Sequence, residues 1–303
     1  MPKSVKSFSL AKKNSGSKIV QAAPQCSGHP LYLLLASAKF EFISNHPLSD
    51  KNNQDERTIT LFTKYNTIVE TLKRGIMAVI YIYNPVSNNV ERYYRGEGQP
   101  MPYNIGGTLT VGEFRGSSRS NVLWTDRRAM DSWNVLRRLW GQNIYLGYAF
   151  KRIWEGGHAP QSQHYAGMAF DAGQNLNPIS RNALRNLAIN SGVWSYVEPA
   201  YLTPTWVHFD RRLGPPACQG GGYPALRLGS KGVYVLILQD ALNSLGYTGS
   251  GLDGVFGPGT QGAVARFQRD RGLTPDGFVG CATWQALTNE ATGIGLTSSV
   301  VNP

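Results

Sequence analysis

The strongest constraint on the fold comes from two short segments that carry histidine and aspartate at fixed spacings. Residues 162–171 read SQHYAGMAFD, and residues 206–210 read WVHFD. The chain has five histidines in all, and one lies in each segment. We therefore expect the two segments to meet in space and to form a single site.

The alternation of residues along a strand indicates which side chains face this site. Residues i and i+2 of a strand share a face, so Ala169 and Asp171 are expected to point the same way. Gly167 permits the bend that brings His164 back toward Asp171. The same alternation gives the second segment a site face that consists of Trp206, His208 and Asp210.

His164, Asp171 and His208 are the predicted metal ligands. Zn²⁺ held by three protein groups keeps a fourth position for water, which is typical of a hydrolytic site rather than a structural one. Each histidine taken alone is better explained as a core or surface residue satisfied by hydrogen bonds. The pattern as a whole favours a zinc site.

The two segments resemble the zinc D-alanyl-D-alanine carboxypeptidases and the related endopeptidases that cut bacterial cell-wall peptides. The pattern in this chain, SxHxxGxAxD followed by VHxD, resembles that of the lysostaphin-type, D-Ala-D-Ala and hedgehog-like metallopeptidase superfamily. The resemblance extends upstream to residues 109–114, 126–140 and 147–152. It implies an α+β fold in which residues 106–214 form a small antiparallel-sheet zinc peptidase domain.

The same resemblance implies two substrate contacts. An arginine near the end of the upstream segment often pairs with the substrate carboxylate in that family, and the match falls on Lys151 or Arg152. A solvated surface pair is the alternative. Ser162 resembles the substrate-contacting serine of the family, although a turn-forming hydroxyl explains this residue as well.

The general base of such a hydrolase is not fixed by the pattern. A proton acceptor must lie near hydrogen-bond reach of the attacking water. Family members often carry an acid or a histidine two or three positions before the last ligand, where this chain has Thr205 and Trp206. Glu198 is the favoured candidate. Asp210 competes with it, but an aspartate two residues from His208 could equally orient that ligand.

A repeat near the C-terminal end predicts a second domain. Residues 253–260 read DGVFGPGT, and residues 276–283 read DGFVGCAT. Helical patterns occupy 261–271 and 233–245, and the Asp-Gly carboxylates are expected to cap backbone groups rather than bind calcium. The stretch is similar to the three-helix peptidoglycan-binding module of many wall hydrolases. That resemblance implies that residues 225–290 bind peptidoglycan.

The rest of the chain divides by composition. Residues 1–27 carry lysines but no acid, which predicts a basic disordered arm without the apolar stretch of a secretory signal. Residues 28–105 predict an unassigned α+β segment, either a separate domain or an elaboration of the peptidase. Residues 215–224, rich in glycine and proline, predict a linker, and residues 291–303 predict a tail.

Within the unassigned segment, three stretches show a pattern. A helix-like run lies between residues 50 and 74. Residues 77–83 and 90–94 predict strands joined by a turn-rich connection, which is typical of a hairpin.

Net charge and cysteine content limit the choice of binding partner and of cellular compartment. The formal net charge of +11 favours anionic partners. No nucleic-acid motif accompanies it, so the anionic polymers of bacterial walls explain it better, and no stretch predicts a membrane span. Cys26, Cys218 and Cys281 show no metal-binding spacing and an odd count, so we expect neither a thiolate site nor a disulfide framework.

These features together predict a monomeric, zinc-dependent peptidoglycan peptidase that resembles an endolysin. It would be made in the cytoplasm and would act at the wall after lysis or non-classical export. A wall-binding protein that has lost catalysis is the alternative, and a zinc-dependent sensing domain is a third reading. Because no predicted ligand lies beyond residue 215, the C-terminal module is expected to be dispensable for the metal site.

Overall fold

A computed structural model of the chain describes residues 77–296, apart from residues 219, 221 and 250. The predicted basic arm and the helix-like run between residues 50 and 74 lie outside the described residues. The described part is mixed α+β, with two small sheets and six α-helices. None of its helices is long and apolar enough to cross a bilayer.

The first sheet has three strands in the order β2–β1–β3. The predicted hairpin is confirmed, because β1 (Ala78–Asn84) pairs antiparallel with β2 (Asn89–Arg95). β3 (Val122–Asp126) then adds parallel to β1. Alternate residues of β1 are buried, and the strand contacts helix α2 (Arg127–Trp140), which follows α1 (Val111–Arg115). Residues 77–105 are therefore packed onto the segment that follows them.

The second sheet is antiparallel and has the order β4–β5–β7–β6. Its strands are β4 (Leu146–Tyr148), β5 (Ala169–Ala172), β6 (Tyr196–Val197) and β7 (Val207–Asp210). Its register pairs Tyr148 with Asp171, and Asp171 with His208. The Glu198 amide donates to the His208 carbonyl at 2.9 Å, which extends the row by one strand. Directly opposed residues share a face, so one row across the sheet carries these four side chains.

The opposite face of this sheet builds the core. Phe170 and Phe209 are fully buried there. In the sequence, each lies between two strand residues whose side chains face the site. Phe170 stacks on Trp133 of α2, with ring centroids 5.3 Å apart, and Phe209 packs 4.5 Å from Trp194. Helix α3 (Pro178–Asn190) contacts β6, β7 and α2 and completes this layer. The predicted division into a site face and a core face is confirmed for residues 207–210, whereas Trp206 lies before the strand.

Three further helices form the C-terminal part of the chain. They are α4 (Val233–Ser244), α5 (Pro258–Asp270) and α6 (Cys281–Ala291). In the turn before α5, the Asp253 carboxylate accepts hydrogen bonds from the Val255 amide at 2.9 Å and from Gln239 at 2.7 Å. Asp276 and Gln268 repeat this arrangement before α6. The prediction that the Asp-Gly carboxylates cap backbone groups is confirmed.

The C-terminal helices are docked on the remainder of the chain through a buried ion pair. Arg152, at 1% exposure, donates from Nε to the Asp240 carboxylate of α4 at 2.8 Å, and a terminal guanidinium nitrogen contacts the second oxygen. Asp240 is fully buried. The first ten residues of α4 are all buried, because the helix has neighbours on every side. The two parts therefore share one interior.

A disulfide adds a covalent link at the same junction. Cys218 of the predicted linker is bonded to Cys281 at the start of α6, so the expectation of no disulfide is wrong. An odd count of three cysteines does not exclude a single pair, which is what Cys218 and Cys281 form. The disulfide closes a loop with a sequence separation of 63, and this closure restricts the conformations of the unfolded chain. Loop entropy then stabilises the fold by about 4 kcal/mol.

The buried ion pair predicts a large effect of a single substitution. Asp240→Ala leaves the Arg152 guanidinium buried without its carboxylate, so we expect a loss of about 3–5 kcal/mol in the free energy of unfolding. Denaturant unfolding of the full chain measures this value.

Asp131→Ala is the matched control for this prediction. Asp131 pairs with Arg127 on the exposed face of α2, at 3.6 Å. Exposed pairs contribute about 0–1 kcal/mol, so this variant should unfold close to the parent chain. Similar losses for both variants would show that burial of the Arg152–Asp240 pair has no special energetic weight.

Candidate metal centre

The structure brings the three predicted metal ligands together. His164, Asp171 and His208 each offer a donor atom, and these atoms all lie within 4.8 Å of one another. The Asp171 carboxylate is central, with one oxygen 2.7 Å from His208 Nδ1 and the other 3.3 Å from His164 Nε2. The two imidazole ring centroids are 5.2 Å apart, and the ring planes are inclined at 69°. The cluster lies at the centre of the row that crosses the second sheet.

Backbone contacts fix the orientation of His164. Its Nδ1 lies 2.9 Å from the carbonyl oxygen of Ala149. A carbonyl only accepts hydrogen bonds, so Nδ1 carries a proton and Nε2 is the ring nitrogen that faces Asp171. Such an outer hydrogen bond is the usual means of fixing the tautomer of a metal-binding histidine.

The turn after His164 depends on glycine. Gly167 has a φ of +63°, and a Cβ there would lie 2.0 Å from the Trp124 carbonyl oxygen. The Gly167 carbonyl accepts a hydrogen bond from the Thr125 hydroxyl at 2.6 Å. The expected bend at Gly167 is therefore confirmed, and close packing on β3 adds to the requirement for glycine.

His208 is held from its other side by Asp210. His208 Nε2 lies 3.3 Å from the Asp210 carboxylate, which leaves Nδ1 facing Asp171. Asp210 is fully buried, and both of its oxygens are engaged by the Arg212 guanidinium, with Nε at 2.8 Å. Arg212 stacks in turn over Tyr196, 4.2 Å from the ring centroid. An aspartate bound in this way orients His208 and is poorly placed to accept a further proton.

The carboxylates set the charge of the centre. Burial by itself would raise the pKa of Asp171, but hydrogen bonds from His164 and His208 outweigh burial and hold this pKa well below its usual range. Burial likewise opposes a charge on His208. Its bonds to Asp171 and Asp210 prevail and raise the pKa of His208 to about 9. In the metal-free chain His208 therefore carries a proton at neutral pH.

Glu198 lies beside this centre with a free carboxylate. It stands across the ladder from His208, on the same face, and is half-buried. Its backbone carbonyl accepts a hydrogen bond from Arg185 at 3.1 Å. Among the described residues, its carboxylate has no hydrogen-bond partner. Glu198 thus differs from Asp210, whose oxygens are occupied.

Two aromatic residues at the site were missed by the sequence analysis. The His158 ring stacks on His164, with centroids 4.4 Å apart, and lies 4.5 Å from the Tyr148 ring. Burial is the main cause that lowers the pKa of His158 to about 3, so this imidazole is neutral. The buried Tyr148 hydroxyl has no hydrogen-bond partner within the described part of the chain. No spacing in the sequence marks His158, whereas the pairing of Tyr148 with Asp171 follows from the register.

The three predicted substrate contacts have different outcomes. The assignment of a substrate carboxylate to Arg152 is wrong, because its guanidinium is buried against Asp240. Lys151 stays in reach of the centre, and its positive charge contributes to the low pKa of His158. The Ser162 hydroxyl accepts a hydrogen bond from the His164 amide at 3.3 Å, as expected for a turn-forming serine. Its predicted contact with substrate stays a prediction.

Comparison with known proteins identifies the C-terminal part. Residues 231–287 match the family described as "Putative peptidoglycan binding domain". A protein of Kitasatospora aureofaciens, "Uncharacterized protein in bpoA1 3'region", is 49% identical over 72 residues. The match covers 22% of this chain and 61% of that relative, so the chain spans less than two thirds of the relative's length.

Two solved structures are similar over a comparable share of the chain. The N-terminal domain of SleB is 37% identical, with coverage of 22% of this chain and 93% of that one and a TM-score of 0.22. A peptidoglycan-binding protein from Clostridioides difficile is 40% identical, with coverage of 22% and 42% and the same TM-score of 0.22. The match of residues 231–287 to the family is what identifies this segment. The chain therefore carries a peptidoglycan-binding domain at its C-terminal end.

Proposed function

We propose that this protein is a zinc-dependent peptidoglycan peptidase. The observation that carries the proposal is the convergence of His164, Asp171 and His208 donor atoms within 4.8 Å, beside a peptidoglycan-binding domain. Two imidazoles and one carboxylate are a donor set that suits Zn²⁺ and leaves a position open. The outer contacts of Ala149 and Asp210 also fit, since each holds the ring nitrogen that faces away from Asp171.

The residues around the centre divide the work of peptide hydrolysis. Zinc, when bound, supplies a Lewis acid that polarises the scissile carbonyl and lowers the pKa of water. Glu198 takes the proton of the attacking water and later passes a proton to the leaving amine. Asp210 keeps His208 in its ligating orientation. Lys151 holds a substrate carboxylate by a charge-assisted hydrogen bond.

The substrate class follows from the peptidoglycan-binding domain. A hydrolase attached to such a domain acts on wall stem peptides, at a terminal D-Ala-D-Ala, an L-Ala-D-Glu or a cross-bridge bond. The net charge of +11 adds attraction to anionic wall polymers. Action at the wall also suits the Cys218–Cys281 disulfide, since disulfides persist outside the reducing cytoplasm.

A second candidate function is a wall-binding protein without catalysis. The observation in its favour is that Thr205 and Trp206 occupy the positions where related peptidases often carry an acid or a histidine. Mass spectrometry of fragments released from purified walls separates the two functions. Peptide fragments support the peptidase and identify the bond, whereas intact walls that retain bound protein support the alternative.

The first prediction for this site concerns metal content. The purified protein should hold about one zinc per chain, and a chelator should abolish hydrolysis. Alanine at position 164, 171 or 208 should remove both zinc and activity, because each ligand supplies one of only three protein bonds. Elemental analysis and wall hydrolysis are measured in parallel, with Asp131→Ala as the control that keeps both. Full activity in any of the three ligand variants would refute the site.

The second prediction separates the two acidic residues. Glu198→Gln should keep zinc and lower kcat by about a hundredfold or more, the scale for loss of a general base. Asp210→Asn should instead weaken zinc affinity by about ten- to a hundredfold, since it disturbs the orientation of a ligand. Kinetics at saturating zinc, together with zinc titration, measure both effects. The reverse pattern would give the base role to Asp210.

The third prediction follows from the raised pKa of His208. Zinc must displace the proton that His208 carries below a pH of about 9. Zinc affinity should therefore rise by about tenfold per pH unit between pH 7 and 8, with release of about one proton per zinc. Calorimetric titration in buffers of different ionisation enthalpy measures the released protons. An affinity that does not change over this range would show that His208 is already neutral.

A further inference from the structure

The loop that carries His164 is held from outside by two tyrosines that follow the metal-binding segments in sequence. The Tyr234 hydroxyl, on the first helix of the peptidoglycan-binding domain, donates to the Gln163 side-chain carbonyl at 2.9 Å. The Tyr223 hydroxyl, in the predicted linker, donates to the Ser162 carbonyl at 2.7 Å. Both contacts fall within two residues of His164.

These contacts are buried. Tyr223 is fully buried, and Tyr234 and Gln163 are each 4% exposed. The two tyrosine rings lie 5.2 Å apart, and Tyr223 packs edge-on against Trp284 of α6 at 5.1 Å. A buried hydrogen bond is costly to break, because the group left behind has no access to water. The C-terminal helices and the loop are thus coupled through a packed, hydrogen-bonded contact.

Gln163 connects the Tyr234 hydroxyl to the turn that contains His164. Its backbone carbonyl accepts from the Ala166 amide at 3.1 Å and from the Met168 amide at 3.0 Å, which closes the turn around His164. Its side chain is held by Tyr234 at the same time. A shift of Gln163 therefore moves both the neighbouring His164 and the hydrogen bonds that shape the turn.

Backbone strain at Gln161 indicates a second anchor in the same loop. Gln161 adopts a φ of +63°, which is rare for a residue other than glycine and persists only where surrounding contacts enforce it. Its side-chain carbonyl accepts a hydrogen bond from the Tyr223 amide at 3.1 Å. The Cys218–Cys281 disulfide ties a nearby position of the chain to α6.

We propose that Tyr223 and Tyr234 are positioning residues for His164, so that the peptidoglycan-binding end of the chain completes the metal centre. This inference rests on the proposed zinc peptidase function. It reverses the expectation that the chain beyond residue 215 is dispensable for the site. The two hydroxyl groups donate to Ser162 and Gln163 rather than to a proposed metal ligand. Both act through the backbone and the side chain of the loop from 161 to 163.

Removal of single hydroxyl groups in the full chain tests the proposal. Tyr234→Phe and Tyr223→Phe keep the rings and delete one hydrogen bond each to the loop. Tyr234→Phe also removes the acceptor of the Leu213 amide, which lies 3.1 Å from the hydroxyl. In metal-free protein, exchange of the amides of residues 165–168 should accelerate by roughly tenfold in each variant, as expected for loss of one buried hydrogen bond. Zinc affinity should fall by about tenfold, the scale for the loss of a supporting contact. Binding to purified walls should stay unchanged.

Tyr247→Phe is the matched control. The Tyr247 hydroxyl donates to Asp270 at 2.9 Å on the exposed side of the same domain. This variant should leave both the exchange of residues 165–168 and the zinc affinity at the values of the parent chain. The Co²⁺-substituted protein adds a spectroscopic readout, since a displaced His164 changes the ligand-field bands in the two loop variants but not in the control.

Defined outcomes overturn the proposal. Parental exchange rates and zinc affinity in both loop variants would remove any positioning role. The variants could instead lose the same free energy of unfolding with and without zinc, and show faster amide exchange uniformly across the chain. That result would mean that the tyrosines contribute only to general packing. If the parent chain binds no zinc, the peptidase function fails, and the exchange of residues 165–168 still decides whether the tyrosines hold the loop.

Discussion

The antiparallel pairing of β5 with β7 is the constraint on which the proposed metal centre depends. It sets Asp171 directly opposite His208, and the ladder extends this row to Tyr148 on one side and to Glu198 on the other. The Cβ atoms of residues that stand opposite each other in a ladder lie about 5 Å apart. Both side chains can therefore reach the same ion. A register shift by one residue would exchange these ligands for core residues such as Phe209.

The strands alone do not hold His164, which lies in the turn before β5. This ligand depends on packing from three directions: the Ala149 carbonyl at its ring, the close approach of Gly167 to β3, and the two tyrosine contacts at Ser162 and Gln163. Ligands that lie on strands are positioned by the regular hydrogen bonds of the sheet. A ligand that lies in a turn is positioned by tertiary contacts instead. The loop therefore links the proposed metal centre to the C-terminal helices.

The sequence predicted the parts of the structure that follow from local periodicity. Alternation identified the site face of β7, and the Asp-Gly turns showed the capping expected for Asp253. Long-range partners were not predictable in this way. Arg152 looked suited to a substrate carboxylate, but its buried partner Asp240 lies 88 residues away. Cys218 and Cys281 likewise meet only because the C-terminal helices dock, and neighbouring residues carry no signal of that docking.

Docking has a physical consequence for the proposed peptidase. A binding domain on a flexible tether raises the local concentration of an enzyme over the whole reach of the tether. Here the Arg152–Asp240 pair, the disulfide and the buried Tyr223 remove that freedom at the junction. The peptidoglycan-binding domain and the proposed metal centre are then held at a fixed separation. A peptidase built in this way selects bonds by their distance from the point of attachment, so geometry as well as pocket chemistry would determine which wall peptides it cuts.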